Sequence, residues 1–102
     1  MDKSLLPIGT VVQLKNSDAL AMIAGYLSVV PSDPDKVYDY SGFRFPVGYI
    51  NDNEVYCFDA DQIEIIYAYG YMDYESDVFL KRLELTKEEL KNAKEETDKE
   101  DL

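Results

Sequence analysis

Short runs in which apolar and polar residues alternate fill the first two-thirds of the chain, and the last third changes to helical spacing. Gly9-Thr10-Val11-Val12-Gln13-Leu14-Lys15 puts Val12 and Leu14 on one face and Gln13 and Lys15 on the other, the period of two that marks a strand. Asn16-Ser17-Asp18 is a turn by residue type, because these side chains bond to nearby backbone. In Leu20–Val30, Leu20, Ile23, Ala24 and Leu27 would share a helical face, yet Gly25 interrupts the run and the preceding turn fits a hairpin. The segment is read as a strand. Pro31-Ser32-Asp33-Pro34-Asp35 reads as a loop, since proline breaks a ladder. Tyr38, Tyr40 and Phe43 then surround Gly42, Pro46-Val47-Gly48 makes a turn, and Asn51-Asp52-Asn53 joins Tyr49-Ile50 to Val55-Tyr56-Cys57-Phe58 as a hairpin loop. Asp59-Ala60-Asp61 starts a one-turn helix, and Ile63, Ile65, Tyr67 and Tyr69 alternate with Glu64, Ile66 and Ala68.

Beyond residue 72 the chain has neither glycine nor proline. A first helix over about 74–84 carries Phe79 and Leu83 four apart, with Tyr74 and Val78 beside them, as a face that could pack on the sheet. Thr86 and Glu89 have the spacing of a capping box, and Leu85 and Leu90 that of a hydrophobic staple, so a second helix is expected over about 87–97. Lys94 to Leu102 is charged nearly throughout and reads as a frayed or disordered end. The expected fold is α+β: a small, strongly bent antiparallel sheet or SH3-like barrel of five to six strands, followed by C-terminal helix. Residues 1–84 would form a single β-rich domain with a packed helix, and 85–102 a charged helix and tail.

Charge narrows the functions open to such a domain. The chain has 102 residues, 21 acidic and 10 basic, for a net charge of −11. Binding to a phosphate backbone needs cations that displace counterions, and an anionic membrane needs the same, so neither nucleic acid nor membrane is an expected partner. With no histidine and a single cysteine, His-based catalysis, a Cys–His pair, the usual zinc sites and an internal disulfide are all excluded. The first seven residues lack the form of a signal peptide, and no apolar run reaches the ~20 residues of a membrane span, so a cytoplasmic protein is expected.

Carboxylates are the remaining catalytic candidates. Asp33, Asp35 and Asp39 match the first spacings of a calcium loop, but Tyr38 stands where glycine is needed and Arg44 where glutamate is needed. Asp59, Asp61 and Glu64 read as a helix N-cap with acids behind it. The five glycines show no phosphate-binding spacing, and Cys57, between Tyr56 and Phe58, reads as a buried small hydrophobe. No catalytic residue, metal site or cofactor is expected. Nine tyrosines and four phenylalanines exceed what a core of this size must hold, so some rings should lie at the surface as anchors for another protein. Tyr38, Tyr40, Tyr49, Tyr69 and Tyr71 are the candidates.

Four stretches carry a family resemblance: Leu5-Leu6-Pro7-Ile8-Gly9-Thr10-Val11-Val12 with Leu14-Lys15; Met22-Ile23 with Gly25-Tyr26; Tyr38-Asp39-Tyr40 through Pro46-Val47-Gly48-Tyr49-Ile50; and Phe58-Asp59-Ala60-Asp61-Gln62-Ile63 through Tyr69-Gly70-Tyr71. Together they resemble an uncharacterised domain-of-unknown-function family of Gram-positive bacteria, often encoded beside LXG toxins of the type VII secretion system. The cover is about residues 5–83, and the charged tail after Leu85 departs from the pattern. The resemblance implies a small cytosolic accessory protein and supplies no catalytic residue. The expected function is therefore a non-enzymatic protein-binding module, an adaptor or chaperone-like factor for a secreted effector or its targeting factor. It would use exposed rings and possible strand addition at a sheet edge. The alternative is an acidic immunity protein that occupies the active site of a cognate toxin.

Overall fold

The computed structural model describes residues 4–100, with side chains placed through Ala93. The fold is α+β, a five-stranded antiparallel open sheet followed by one helix. The strands are β1 (Val11–Leu14), β2 (Leu20–Val30), β3 (Asp33–Phe45), β4 (Val55–Phe58) and β5 (Ile63–Ala68), and the helix is α1 (Tyr74–Glu100). Spatial order is β4-β3-β2-β1-β5, so β4 and β5 are the edges and the barrel alternative is not closed. The chain forms two compact units, one spanning Leu6–Tyr71 and the other comprising the described residues of Met1–Leu5 and Met72–Leu102.

Within Leu6–Tyr71 the long β2–β3 pair is the backbone of the sheet. Ala21 and Ile23 alternate into the core from β2, Val12 from β1, Tyr40 from β3 and Phe58 from β4. The Tyr40 ring lies 5.9 Å from Tyr26 and 5.6 Å from Phe58, at tilted angles that suit aromatic quadrupoles. Asp33 and Pro34 belong to β3, where the sequence suggested a loop. The hairpin turn is only Pro31-Ser32, with Val30 facing Asp33. Pro34 is tolerated because β4 pairs only with Tyr40–Phe43, leaving no ladder on that side for it to interrupt.

The segment before β1 is clamped at Leu6 and Thr10. Leu6 donates its N–H to the Tyr40 hydroxyl at 2.9 Å, and its carbonyl accepts the Tyr26 O–H. Burial, with Tyr40 nearby, pushes the Tyr26 phenol up to about 12. Thr10, fully buried, donates its hydroxyl to the Pro7 carbonyl at 2.7 Å and accepts the Gly70 N–H at 3.0 Å. Gly70 has to be glycine: a Cβ there would stand 1.8 Å from the Ile8 carbonyl oxygen. Gly42 is held the same way, its absent Cβ 2.5 Å from the Met22 carbonyl oxygen across the β2–β3 ladder.

In the other unit, α1 is one helix where the sequence suggested two. Thr86 lies inside it and donates its hydroxyl back to the Arg82 carbonyl at 3.1 Å, the bond a mid-helix threonine makes. No residue between Lys81 and Lys94 is a glycine or proline, so nothing stops the helix at the expected cap. The buried face is also turned from the expected one. Leu80 is buried, with Leu83 and Glu84 half-buried, while Phe79 and Val78 are exposed. Leu5, itself buried, donates its N–H to Glu84 Oε1 at 2.9 Å, which draws the Leu80–Glu84 side inward. Helical backbone reaches Glu100 through the stretch read as a frayed end; Asp101 and Leu102 lie outside the described residues.

Candidate functional site

Two groups of exposed apolar residues occur in the sheet unit, one beside each edge strand. The first lies at the end of β3 and in the β3–β4 connection, where Phe45, Val47, Tyr49 and Ile50 are all exposed. Turn residues explain why: Pro46, Gly48 and the Asn51-Asp52-Asn53 run keep the chain at the surface, and the Asn51 side chain accepts the Asn53 N–H at 2.9 Å. Tyr49 packs edge-on against Phe43, with ring centres 5.5 Å apart, and donates its hydroxyl to Asp52 Oδ1 at 2.8 Å. That bond raises the Tyr49 phenol above its usual value. The ring is held in place while most of its surface faces water.

The second group lies on β5 and just after it. Ile65 and Tyr67 project together from the strand, and Tyr69 and Tyr71 continue past it with most of each ring exposed. Tyr67 donates its hydroxyl to Gln13 Oε1 on β1 at 2.8 Å. The β1–β5 ladder is irregular. Val11 and Val12 face Ala68 and Ile66, and Gln13 and Leu14 face Ile65 and Ile63, so Tyr67 and Glu64 are extra residues on β5.

The five tyrosines singled out from sequence fall into different places. Tyr49, Tyr69 and Tyr71 are exposed. Tyr38 is half-buried, with the Lys36 ammonium 5.2 Å above its ring. Tyr40 is 1% exposed and belongs to the core. Val47, Ile50, Ile65 and Tyr67, also exposed, were not among the sequence candidates. Val47 was legible as an apolar residue inside a predicted turn, which loops carry to the surface. The sequence suggested Tyr49-Ile50 as the arm of a hairpin to Val55–Phe58, but residues 49–50 form no strand and β4 pairs with Tyr40–Phe43 instead.

The acidic groups do structural work. Asp33, Asp35 and Asp39 are strung along β3, which at about 3.3 Å per residue sets the outer two about 20 Å apart, unlike a calcium loop. Asp39 is buried and accepts the Ala60 N–H at 2.9 Å. Asp59 accepts the Asp39 N–H at 3.0 Å and the Lys36 ammonium at 2.9 Å, and this pairing raises the Lys36 pKa. Asp59 also begins the turn Ala60–Gln62, where Gln62 accepts its N–H at 2.8 Å. Among the described residues no three metal-ligating side chains gather. Cys57 is half-buried, and burial pushes its thiol up, away from the reactive thiolate. On α1, Tyr74, Glu75, Val78, Phe79 and Arg82 line a shallow groove. Among the described residues no helix is long and apolar enough to cross a membrane.

Residues 5–79 match the model of a family described as a domain of unknown function (DUF4176). The chain belongs to that family. The DUF4176 match takes in the whole sheet unit from Leu6 and the first turn of α1. Several residues that carried the resemblance therefore have visible structural jobs, among them Thr10, Tyr26, Tyr40 and Gly70. No curated protein and no solved structure matches the chain.

Proposed function

We propose that this DUF4176 protein is a non-enzymatic binding module of the cytoplasm, an adaptor or chaperone-like factor for an effector of the type VII secretion system, encoded beside LXG toxins. The observation that carries the reading is the coincidence of exposed apolar side chains with a strongly anionic chain. Val47, Tyr49, Ile50, Ile65, Tyr67 and Tyr69 are each at least 42% exposed in a protein of net charge −11. Exposed apolar groups of that kind, one beside each edge strand, are costly to leave in water and suit a protein partner. Rigid rings such as Tyr49 anchor such interfaces at little entropic cost. The negative charge speeds encounter with a cationic partner and keeps the unbound protein in solution.

Purification of the tagged full-length protein at low salt, together with the products of its neighbouring genes, tests this. Co-elution of an LXG protein or a small helical targeting factor is expected. Elution alone sinks the proposal. The high acid content also favours a second reading, an immunity protein whose carboxylates imitate the phosphates of a nuclease substrate. An adaptor binds the N-terminal targeting half of a toxin and an immunity protein the C-terminal toxic half, so separate halves decide between them.

A further inference from the structure

Between Arg44 and Lys81 the sequence contains no lysine or arginine, and that stretch includes both edge strands of the sheet. Natural sheets commonly guard their edges with lysine, proline or a bulge, because an edge presents unpaired N–H and C=O groups to any extended chain. The β5 edge is guarded, since two extra residues break its even spacing. The β4 edge is not. Val55, Tyr56, Cys57 and Phe58 pair in unbroken register with Phe43, Gly42, Ser41 and Tyr40, and the strand contains no proline or charge. Its ends are acidic instead: Asp52 and Glu54 lie before it, Asp59 and Asp61 after it, with Asp52, Glu54 and Asp61 exposed.

Building on the proposed function, we infer that the outer edge of β4 takes up an extended segment of the partner, four or five apolar or β-branched residues flanked by lysine or arginine. Main-chain hydrogen bonds to β4 supply the pairing, as in strand addition generally. The flanking cations meet Asp52 and Glu54 at one end, and Asp61 at the other, of a four-residue strand about 13 Å long. The exposed Val47, Tyr49 and Ile50, just ahead of this edge, receive the segment's continuation. A second copy of the chain is the wrong occupant. It would bring the same cation-free stretch against itself and join two bodies of −11 each. Net charge thus guards the edge against self-pairing, a task usually left to a local lysine, and leaves it open to cationic chains.

The test uses the isotope-labelled full chain and three synthetic probes. One is a Val-Thr-Val-Thr-Val peptide with two lysines at each end; the second has glutamates in their place; the third is the lysine peptide with alternate backbone amides N-methylated. The lysine peptide should slow amide exchange at least tenfold at alternate residues of Val55–Phe58, and its affinity should fall about tenfold between 20 and 300 mM salt. The other two probes should not bind. Reversing two exposed charges, Glu54→Lys with Asp61→Lys, should transfer the preference to the glutamate peptide without touching a core residue. No binding at millimolar lysine peptide, protection at Ile63–Ala68 instead, equal binding of the N-methylated probe, or a dimer formed through β4 would each overturn the inference. Partner co-elution that survives the double charge reversal removes the β4 edge and leaves the proposed function standing; peptide binding with no co-eluting protein does the reverse.

Discussion

A methyl group on Gly70 would overlap the Ile8 carbonyl, and the backbone there is fixed from two sides by Thr10. Gly70→Ala should therefore cost about 3 kcal/mol or more, at the severe end for a single added methyl, read as a lowered urea midpoint. Tyr26 gives a pH-dependent counterpart. Its phenol ionises near 10 when unfolded and about 12 when folded, so between these values the folded state holds the extra proton. Stability must then fall as pH rises through that window, and Tyr26→Phe should flatten the decline of the urea midpoint above pH 10. A phenolate absorbance titration of the native protein should show one late step that the variant lacks. The tyrosines also mark where sequence reading stops. Tyr38 and Tyr40 sit two apart in one strand in similar company, and only the three-dimensional stacking of Tyr40 between Tyr26 and Phe58 tells the buried ring from the half-buried one.

The strands were legible because β1, β2 and β5 keep a period of two or a hairpin turn in the sequence itself. Pro34 was misread since its tolerance depends on where β4 stops, which is a long-range fact. The helix was misread for the opposite reason. Thr86 and Glu89 satisfy a local pattern, but a capping box acts only if the preceding turn fails to be helical, and Arg82 to Leu85 offers no breaker. Thr86→Ala decides the point quantitatively. In the interior of a helix alanine is the better residue by about 0.5 kcal/mol, so helix content and melting temperature should hold or rise. Loss of about 1 kcal/mol, the usual cost of deleting a cap, would mean that a helix starts there after all.

Across the chain as a whole, repulsion among like charges is the dominant electrostatic fact. Ion pairs such as Lys36–Asp59 and Lys81–Asp77 stand against a net charge of −11. Exposed pairs contribute little, whereas uncompensated charge works against the compact state. Raising salt from about 20 to about 300 mM, which shortens the screening length severalfold, should therefore raise the urea midpoint. A lower midpoint would show that attractive pairing outweighs the repulsion. The charge imbalance was plain in the composition. Its placement was not: the uninterrupted anionic stretch gains meaning only once β4 and β5 are seen to border the sheet.

The partnership of β1 with β5 sets an order of events during synthesis. β1 finds β2 within a few residues, but its second neighbour is made some fifty residues later, and the Gly70 amide that Thr10 accepts comes later still. Until then the nascent sheet carries β1 as an open border of Val11 and Val12. A message cut short before Ile63 would release a fragment with that border permanently bare, a substrate for aggregation or for the proteases that clear unfinished chains.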